Sequence, residues 1–218
     1  MMTLPKGTLI ALEGIDGSGK STLARNMYTH YVSKGVDALL TREPGASGLG
    51  KKLRTILQEK EVNVGAKAEF LLFAADRAQH FEELIIPALR DHKLIISDRL
   101  ADSSIIYQGY GRGLPIEFIQ QVNAWVMNTI KPDITIYVQV PIEVALKRII
   151  KRKESLSSFE RERIDFVERL ITGFETLFNN RTDVITVNGQ LPPEELAEIS
   201  YHQVQSFLVR EERVSCCS

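Results

Sequence analysis

The residues best suited to chemistry form a glycine-rich stretch near the start of the chain. It reads Gly14-Ile-Asp-Gly-Ser-Gly-Lys20-Ser21 and matches the phosphate-loop pattern G-x-x-x-x-G-K-[ST]. In such a loop, backbone N–H groups and the N-terminus of the next helix surround a polyphosphate. The sequence therefore predicts a nucleotide site in which Lys20 reaches the terminal phosphates and the Ser21 hydroxyl holds Mg²⁺.

Apolar runs of strand length alternate with helical patterns along the whole chain. The five runs begin near Thr8, Val36, Leu94, Ile134 and Asp183, and the first leads directly into the glycine-rich stretch. Strands that alternate with helices predict a doubly wound α/β fold with a mostly parallel five-stranded sheet. We expect one domain over residues 1–210 and a disordered tail over 211–218.

Three local features carry predictions of their own. Pro87 should kink or end a helical stretch that runs from Ala66 to about Arg90. Residues 109–113 contain three glycines and predict a flexible loop. Trp125 falls on the apolar stripe of a helix, which predicts a place in the core.

Composition narrows the class of protein. The 218 residues carry 27 Lys and Arg against 28 Asp and Glu, so nothing indicates a nucleic-acid or membrane surface. No stretch reaches the roughly 18 to 20 apolar residues that cross a bilayer. Cys216 and Cys217 are adjacent near the end of the chain and cannot staple a core. We expect a soluble cytoplasmic protein.

Arginines are dense at the predicted strand ends and in one later segment. Arg42 and Arg99 follow strands, and seven basic residues against three acidic ones lie between Lys147 and Arg163. Arginine forks bind phosphates, so the pattern favours phosphoryl transfer to a small phosphorylated acceptor, with a lid at about 148–163. The guanine-binding Asn-Lys-x-Asp of GTPases is absent, and the third strand ends Asp98-Arg99 instead of the Asp-Glu of motor ATPases.

Several motifs in one order resemble the thymidylate kinase family of nucleoside monophosphate kinases. Beside the glycine-rich stretch they are Thr41-Arg-Glu-Pro-Gly45, Leu72-Phe-Ala-Ala-Asp-Arg77, Asp98-Arg99 and Ser104-Ile-Ile-Tyr-Gln-Gly-Tyr-Gly-Arg-Gly113. The resemblance covers nearly the whole chain. It implies the reaction of ATP·Mg²⁺ with dTMP to give ADP and dTDP, and a homodimer packed through helices such as those of Phe70 and Trp125.

The same resemblance implies which residues form the site. Phe73 would stack on thymine, Arg77 would donate to a base carbonyl, and Arg42 and Arg99 would grip the acceptor phosphate. The implied catalytic residues are Lys20, Asp98, Arg99 and Arg152. The implied ATP-binding residues are Gly14, Ile15, Asp16, Gly17, Ser18, Gly19, Lys20, Ser21 and Thr22. The implied dTMP-binding residues are Asp16, Arg42, Pro44, Phe73, Arg77, Arg99, Ser104, Tyr107 and Gln108.

One part of the family pattern is altered. The family places an extra cation either in the phosphate loop or in the lid, and because position 17 is glycine the lid should supply it. Where the family often has Asp-Arg-x-Glu, this chain has Ser157-Ser-Phe-Glu160. The candidates for the lid cation are Arg148, Arg152, Arg161 and Arg163, with Arg152 as the first choice.

Two alternatives remain open at this point. A different nucleoside or nucleotide kinase would share the phosphate loop but differ in the acceptor pocket. A nucleotide-binding regulatory protein without catalysis would be consistent with the altered lid.

Overall fold

Five parallel strands form the centre of the molecule. The computed structural model describes residues 6–58, 64–152 and 160–215. The strands are β1 (Thr8–Glu13), β2 (Ala38–Arg42), β3 (Leu94–Asp98), β4 (Ile134–Gln139) and β5 (Val184–Asn188). They are arranged in the order β2-β3-β1-β4-β5, and each neighbouring pair is parallel. The predicted doubly wound sheet is confirmed, with the glycine-rich loop leaving its central strand.

Helices cover both faces of this sheet. They are α1 (Lys20–Ser33), α2 (Gly48–Gln58), α3 (Ala66–His80), α4 (Ile86–Arg90), α5 (Ala101–Ser104), α6 (Ile116–Val126), α7 (Ile142–Arg152), α8 (Glu160–Phe178) and α9 (Pro193–Ser215). Two π-helical segments, Phe81–Ile85 and Ile105–Gly111, continue α3 into α4 and extend α5. No described helix is long and apolar enough to span a membrane.

Successive residues of β1 enter different hydrophobic clusters. Ile10 and Leu12 pack on one face with α1 residues such as Leu23, whereas Leu9 and Ala11 pack on the other. All four β1 side chains are essentially inaccessible to water. Because both faces are covered, the four central residues of the strand are all apolar, which is typical of parallel sheets. The loop after β1 is therefore held by a fully buried strand.

The structure bears on the first two local predictions. The helix does not end at Pro87, because α4 continues through it, but the regular α-helix is interrupted just before it by the π-helical segment Phe81–Ile85. The predicted loop at 109–113 is π-helical as far as Gly111. A Cβ at Gly111 would lie 2.7 Å from Cε2 of Phe166, so this glycine permits close packing and does not mark a loop.

The core prediction for Trp125 is wrong, because its side chain is 78% exposed. It lies on α6, and Phe118 on the same helix and Leu71 on α3 are also more than half exposed. Helical spacing identifies an apolar face but not whether the chain itself covers that face. We call the surface formed by Leu71, Phe118 and Trp125 the α3–α6 face.

The last helix extends into the segment expected to form a tail. The tail was placed at 211–218, whereas α9 continues to Ser215, and the sequence from Arg210 to Ser215 contains no glycine or proline. Cys216 and Cys217 lie outside the described residues, as does the middle of the predicted lid, 153–159.

Candidate active site

The glycine-rich loop is shaped by positions that exclude a side chain. Gly14 and Gly17 have φ values of 146° and 83°. A Cβ on Gly14 would lie 2.7 Å from the Val138 carbonyl oxygen, and one on Gly17 would lie 2.5 Å from that of Ala145. The loop thus fits closely against β4 and α7, and it ends at Gly19, the N-cap of α1. The predicted order of strand, loop and helix is confirmed.

Lys20 is the first residue of α1 and is almost fully buried. Its Nζ donates to the Ile15 carbonyl oxygen at 2.7 Å and lies 3.4 Å from Ser18 Oγ. Burial, and then the charge of Arg99, lowers the pKa of Lys20 from 10.5 to about 7. A polyphosphate bound in this loop would favour the charged amine and raise that pKa again.

We therefore expect ATP binding to take up about one proton at about pH 8, because Lys20 is mostly neutral before binding and charged afterwards. Titration calorimetry in buffers with different ionisation enthalpies measures this uptake. The Lys20→Arg variant should bind ATP without it, since a guanidinium is already charged. Equal proton uptake by the two proteins would contradict the assignment.

A cavity of about 900 Å³ opens beside the loop at the C-terminal ends of β1, β2 and β3. Four arginines line it, namely Arg25 on α1, Arg42 at the end of β2, Arg54 on α2 and Arg99 after β3. Arg54 also donates to the Pro44 carbonyl oxygen at 2.8 Å. The sequence did not single out Arg54, because an arginine on an amphipathic helix has no local signal of function. This cationic cavity suits an anionic ligand.

Asp98 and Arg99 connect the phosphate loop to this cavity. Ser21 Oγ donates to Asp98 Oδ2 at 2.5 Å. Arg99 has a φ of 76°, a left-handed conformation that turns its side chain back toward the loop. Its guanidinium donates to Asp16 at 2.5 Å and to the Tyr107 hydroxyl at 3.0 Å. The structure therefore brings together five of the predicted residues.

Glu13 helps to position Arg99 through Ser103, and it was not among the predicted site residues. Its buried carboxylate accepts hydrogen bonds from Leu100 N at 2.8 Å and from Ser103 Oγ at 2.6 Å. Ser103 Oγ in turn accepts from Arg99 at 3.0 Å. Burial, and then the charge of Asp102, raises the pKa of Glu13 to about 7. A glutamate that ends a buried strand is an unusual feature, and this was the available signal.

A second buried network holds the turn after β2. The Glu43–Pro44 peptide bond is cis, and the Glu43 side chain points inward, accepting from Arg77 at 2.8 Å and contacting His80 Nδ1 at 3.0 Å. His80 Nε2 lies 2.7 Å from Thr41 Oγ1. These contacts fix the turn that carries Arg42 and Pro44 at the cavity wall.

Arg77 makes more hydrogen bonds within the protein than its predicted role in binding a base requires. Beside Glu43, its guanidinium donates to Ser104 at 3.1 Å, Asn123 at 2.7 Å and the Leu100 carbonyl oxygen at 3.2 Å. These four bonds use four of its five N–H groups, and Nη2 also lies 2.8 Å from the Glu43 carboxylate. Donation to a base carbonyl stays a prediction, and it would require Arg77 to exchange or share a partner.

Phe73 lies on α3 between two polar links, which are hydrogen bonds that join α3 to α5 and to the π-helical segment Ile105–Gly111. Glu69, Phe73 and Arg77 are spaced four residues apart and share one side of α3. At one end Arg77 donates to Ser104, and at the other Gln108 Nε2 donates to Glu69 Oε1 at 2.7 Å. The ring of Phe73 is half-buried. A planar group on this ring would meet polar atoms at both ends.

The other side of the loop holds a smaller cavity of about 290 Å³. Arg148 on α7 lines it and donates to the carbonyl oxygens of Ser18 at 3.1 Å and Gly189 at 2.9 Å. Of the four lid arginines considered, Arg148 is the one whose side chain is described. The side chains of Arg152, Arg161 and Arg163 lie outside the described residues.

Comparisons with known proteins agree with this geometry. The model of the family described as thymidylate kinase matches residues 12–199. A thymidylate kinase of Halothermothrix orenii is 41% identical over 207 residues, which is 94% of this chain and 100% of the relative. The crystal structure of thymidylate kinase from Ehrlichia chaffeensis superimposes with a TM-score of 0.69 at 31% identity, covering 84% of this chain and 93% of that one. The chain therefore belongs to the thymidylate kinase family and is a kinase.

Proposed function

We propose that this kinase transfers the γ-phosphoryl group of ATP to dTMP, giving ADP and dTDP. The observation that carries the proposal is the phosphate loop with a cavity on each side, the larger one lined by four arginines. A reaction between two phosphorylated molecules requires both a donor site and a cationic acceptor site.

The donor occupies the loop and the smaller cavity. The residues Gly14, Ile15, Asp16, Gly17, Ser18, Gly19, Lys20, Ser21 and Thr22 enclose the phosphates of ATP, and the base enters between Arg148 and the turn at Gly189. A lid at about 148–163 completes this site. Arg148 supplies a positive charge at its described end, and Arg152 is the candidate beyond it.

Ser21 at the start of α1 and Asp98 at the end of β3 fit Mg²⁺. Ser21 and Asp98 offer a hydroxyl and a carboxylate oxygen within hydrogen-bonding distance of each other, and hard oxygen ligands are the ones that Mg²⁺ takes. When bound with ATP, the ion neutralises charge on the phosphates. Ser21 would hold it directly and Asp98 would support it.

The acceptor phosphate lies among Arg42, Arg54 and Arg99. Its oxygen attacks the γ-phosphorus in line, and because a phosphate oxygen is already anionic it needs little help from a base. Lys20 and Arg99 stabilise the charge that develops between the two substrates. Catalysis is then mainly positioning and charge neutralisation.

The nucleoside part of dTMP extends from this cavity toward α3. Phe73 stacks on thymine, with Arg77, Ser104 and Gln108 at the base edges. Tyr107 lies beside the sugar at the place of a 2′-hydroxyl, Asp16 contacts the 3′-hydroxyl, and Pro44 forms part of the wall. Since these reactants are cytoplasmic metabolites, a cytoplasmic location belongs to the same proposal.

A coupled ADP-release assay tests the function with dTMP, dUMP, dCMP, AMP and thymidine as acceptors. We expect turnover to be fastest with dTMP. Activity with another acceptor but not with dTMP would favour a different nucleotide kinase. Tight nucleotide binding without turnover would favour a regulatory protein.

We further infer that the α3–α6 face is covered by a second copy of the chain. Leu71, Phe118 and Trp125 expose large apolar surfaces on two helices that pack against each other, where Phe70 and Phe118 are in edge contact. Exposed aromatic residues that cluster in this way mark protein interfaces. A symmetric dimer pairs one such face with itself.

We expect Trp125→Glu to shift the protein from dimer to monomer, because it places a charge on this face in place of its most exposed aromatic residue. Sedimentation or light scattering measures the mass. The matched control is Val209→Glu, which adds a charge at an exposed apolar position on α9. A Trp125→Glu variant with unchanged mass would rule out this face as the interface.

A further inference from the structure

Glu69 makes a contact that the proposed reaction does not use. It lies in the first turn of α3, where the helix dipole favours a negative charge. One carboxylate oxygen accepts from Gln108 Nε2 at 2.7 Å, and the other accepts from Arg112 at 3.3 Å. Arg112 also lies over the ring of Phe166 on α8, 4.8 Å from its centre. Glu69 is thus held in place by two partners.

The contact with Gln108 determines which way that amide faces. A carboxylate can only accept hydrogen bonds, so the NH₂ group of Gln108 must be the end that faces Glu69. The carbonyl Oε1 is therefore the end directed away from Glu69. Gln108 is 2% exposed, and an amide that is this buried cannot turn freely in water.

The polarity of that amide matters because of where Gln108 lies. It forms one of the two links that bracket Phe73, and Arg77 with Ser104 forms the other. A base that stacks on Phe73 brings its edge between these links. With the NH₂ group held by Glu69, Gln108 offers an acceptor to that edge.

We propose that Glu69 is a positioning residue for base specificity, which fixes Gln108 so that an acceptor faces the N3 position of the base. Thymine carries a donor at N3, whereas cytosine carries an acceptor there. The fixed amide therefore matches thymine and opposes cytosine. This inference rests on the proposed function, with dTMP as the acceptor.

The test replaces the charge of Glu69 without changing its size. In Glu69→Gln the new amide can either accept from or donate to Gln108, so Gln108 is free to take both orientations. The probes are dTMP and 5-methyl-dCMP, which share the 5-methyl group but have opposite polarity at N3. We expect the ratio of their kcat/KM values to fall about tenfold, mainly through a higher KM for dTMP.

A matched control exists on the same helical stretch. Gln79 donates to Glu83 in an exposed pair of the same kind. Glu83→Gln should leave the dTMP to 5-methyl-dCMP ratio, the KM for ATP and the melting temperature unchanged. A folded Glu69→Gln enzyme with an unchanged ratio, or with equal losses for every substrate including ATP, would overturn the proposal.

Two further measurements test the proposal, one on the wild-type enzyme and one in a Gln108→Met background. Wild-type enzyme should use N3-methyl-dTMP much less efficiently than dTMP, and equal efficiency would overturn the proposal. In a Gln108→Met background, adding Glu69→Gln should not change the ratio further, since no amide remains to be oriented. Absence of wild-type activity on dTMP would instead refute the proposed function, so the two failures are distinguishable.

Discussion

Arg99→Ala is expected to lower kcat with dTMP by about 10³-fold while the KM for ATP changes by less than about threefold. Arg99 lies between the phosphate loop and the arginine-lined cavity, where the proposed transfer takes place. Its guanidinium is oriented by Asp16, Ser103 and Tyr107 before any substrate binds. If it stabilises charge that develops during transfer, as proposed, its loss should affect the transition state more than ATP binding.

Steady-state kinetics with each substrate varied in turn measures this effect. Arg99→Lys should fall between wild type and Arg99→Ala, since an ammonium keeps the charge but not the bidentate fork. Arg90→Ala removes an exposed arginine at the end of α4 and should behave as wild type. Equal losses in kcat and in ATP affinity would contradict a role on the acceptor side.

Arg77→Leu is expected to have the largest effect on stability, reducing the free energy of unfolding by about 3 to 5 kcal/mol. Arg77 and Glu43 form a buried ion pair with side chains 1% and 2% exposed. The substitution leaves the Glu43 carboxylate buried with His80 as its remaining side-chain partner. Urea denaturation followed by circular dichroism gives the difference.

The dependence on pH provides a second check on this variant. In the wild type, burial by itself would raise the pKa of Glu43, but Arg77 and His80 outweigh it and lower the pKa. Without Arg77 burial should dominate and raise the pKa. The folded variant then binds more protons than the unfolded chain, so its stability should fall as pH rises. We therefore expect a larger loss at about pH 8 than at about pH 5.

Two further variants test whether the loss of stability in Arg77→Leu comes from the unpaired charge of Glu43. Adding Glu43→Gln to Arg77→Leu removes the unpaired charge and should recover part of the stability. Lys93→Met breaks a half-exposed pair with Asp37 and should cost less than about 1 kcal/mol. If Arg77→Leu cost no more than Lys93→Met, the buried network would not be the source of stability.

Sequence patterns predicted the features that depend on local spacing. The glycine-rich loop, the five strands and the arginines at strand ends follow from the order of residues, because a parallel sheet brings the ends of its strands to one edge. Those predictions required no knowledge of distant contacts. The fold was for this reason predictable as a whole.

Features that depend on distant contacts were missed or wrong. Trp125 lies at the helical spacing of a core residue, but the described part of its own chain does not cover its side chain. Gly111 was interpreted as part of a loop because its packing partner, Phe166, lies 55 positions later in the sequence. Glu13 and Glu69 contact residues far away in the chain, and although a glutamate at the end of a buried strand is unusual, the local sequence does not indicate which residues they contact.

The order of the strands divides the molecule into two functional halves. On one side of β1, the residues after β2 and β3 form the arginine-lined cavity; on the other side, α7 and the turn after β5 form the smaller one. The phosphate loop is the boundary between them. If the proposed roles hold, donor and acceptor recognition are encoded by separate strands. Substitutions at Arg148 and at Gln108 should then have additive effects, so that either specificity can be engineered while the other is kept.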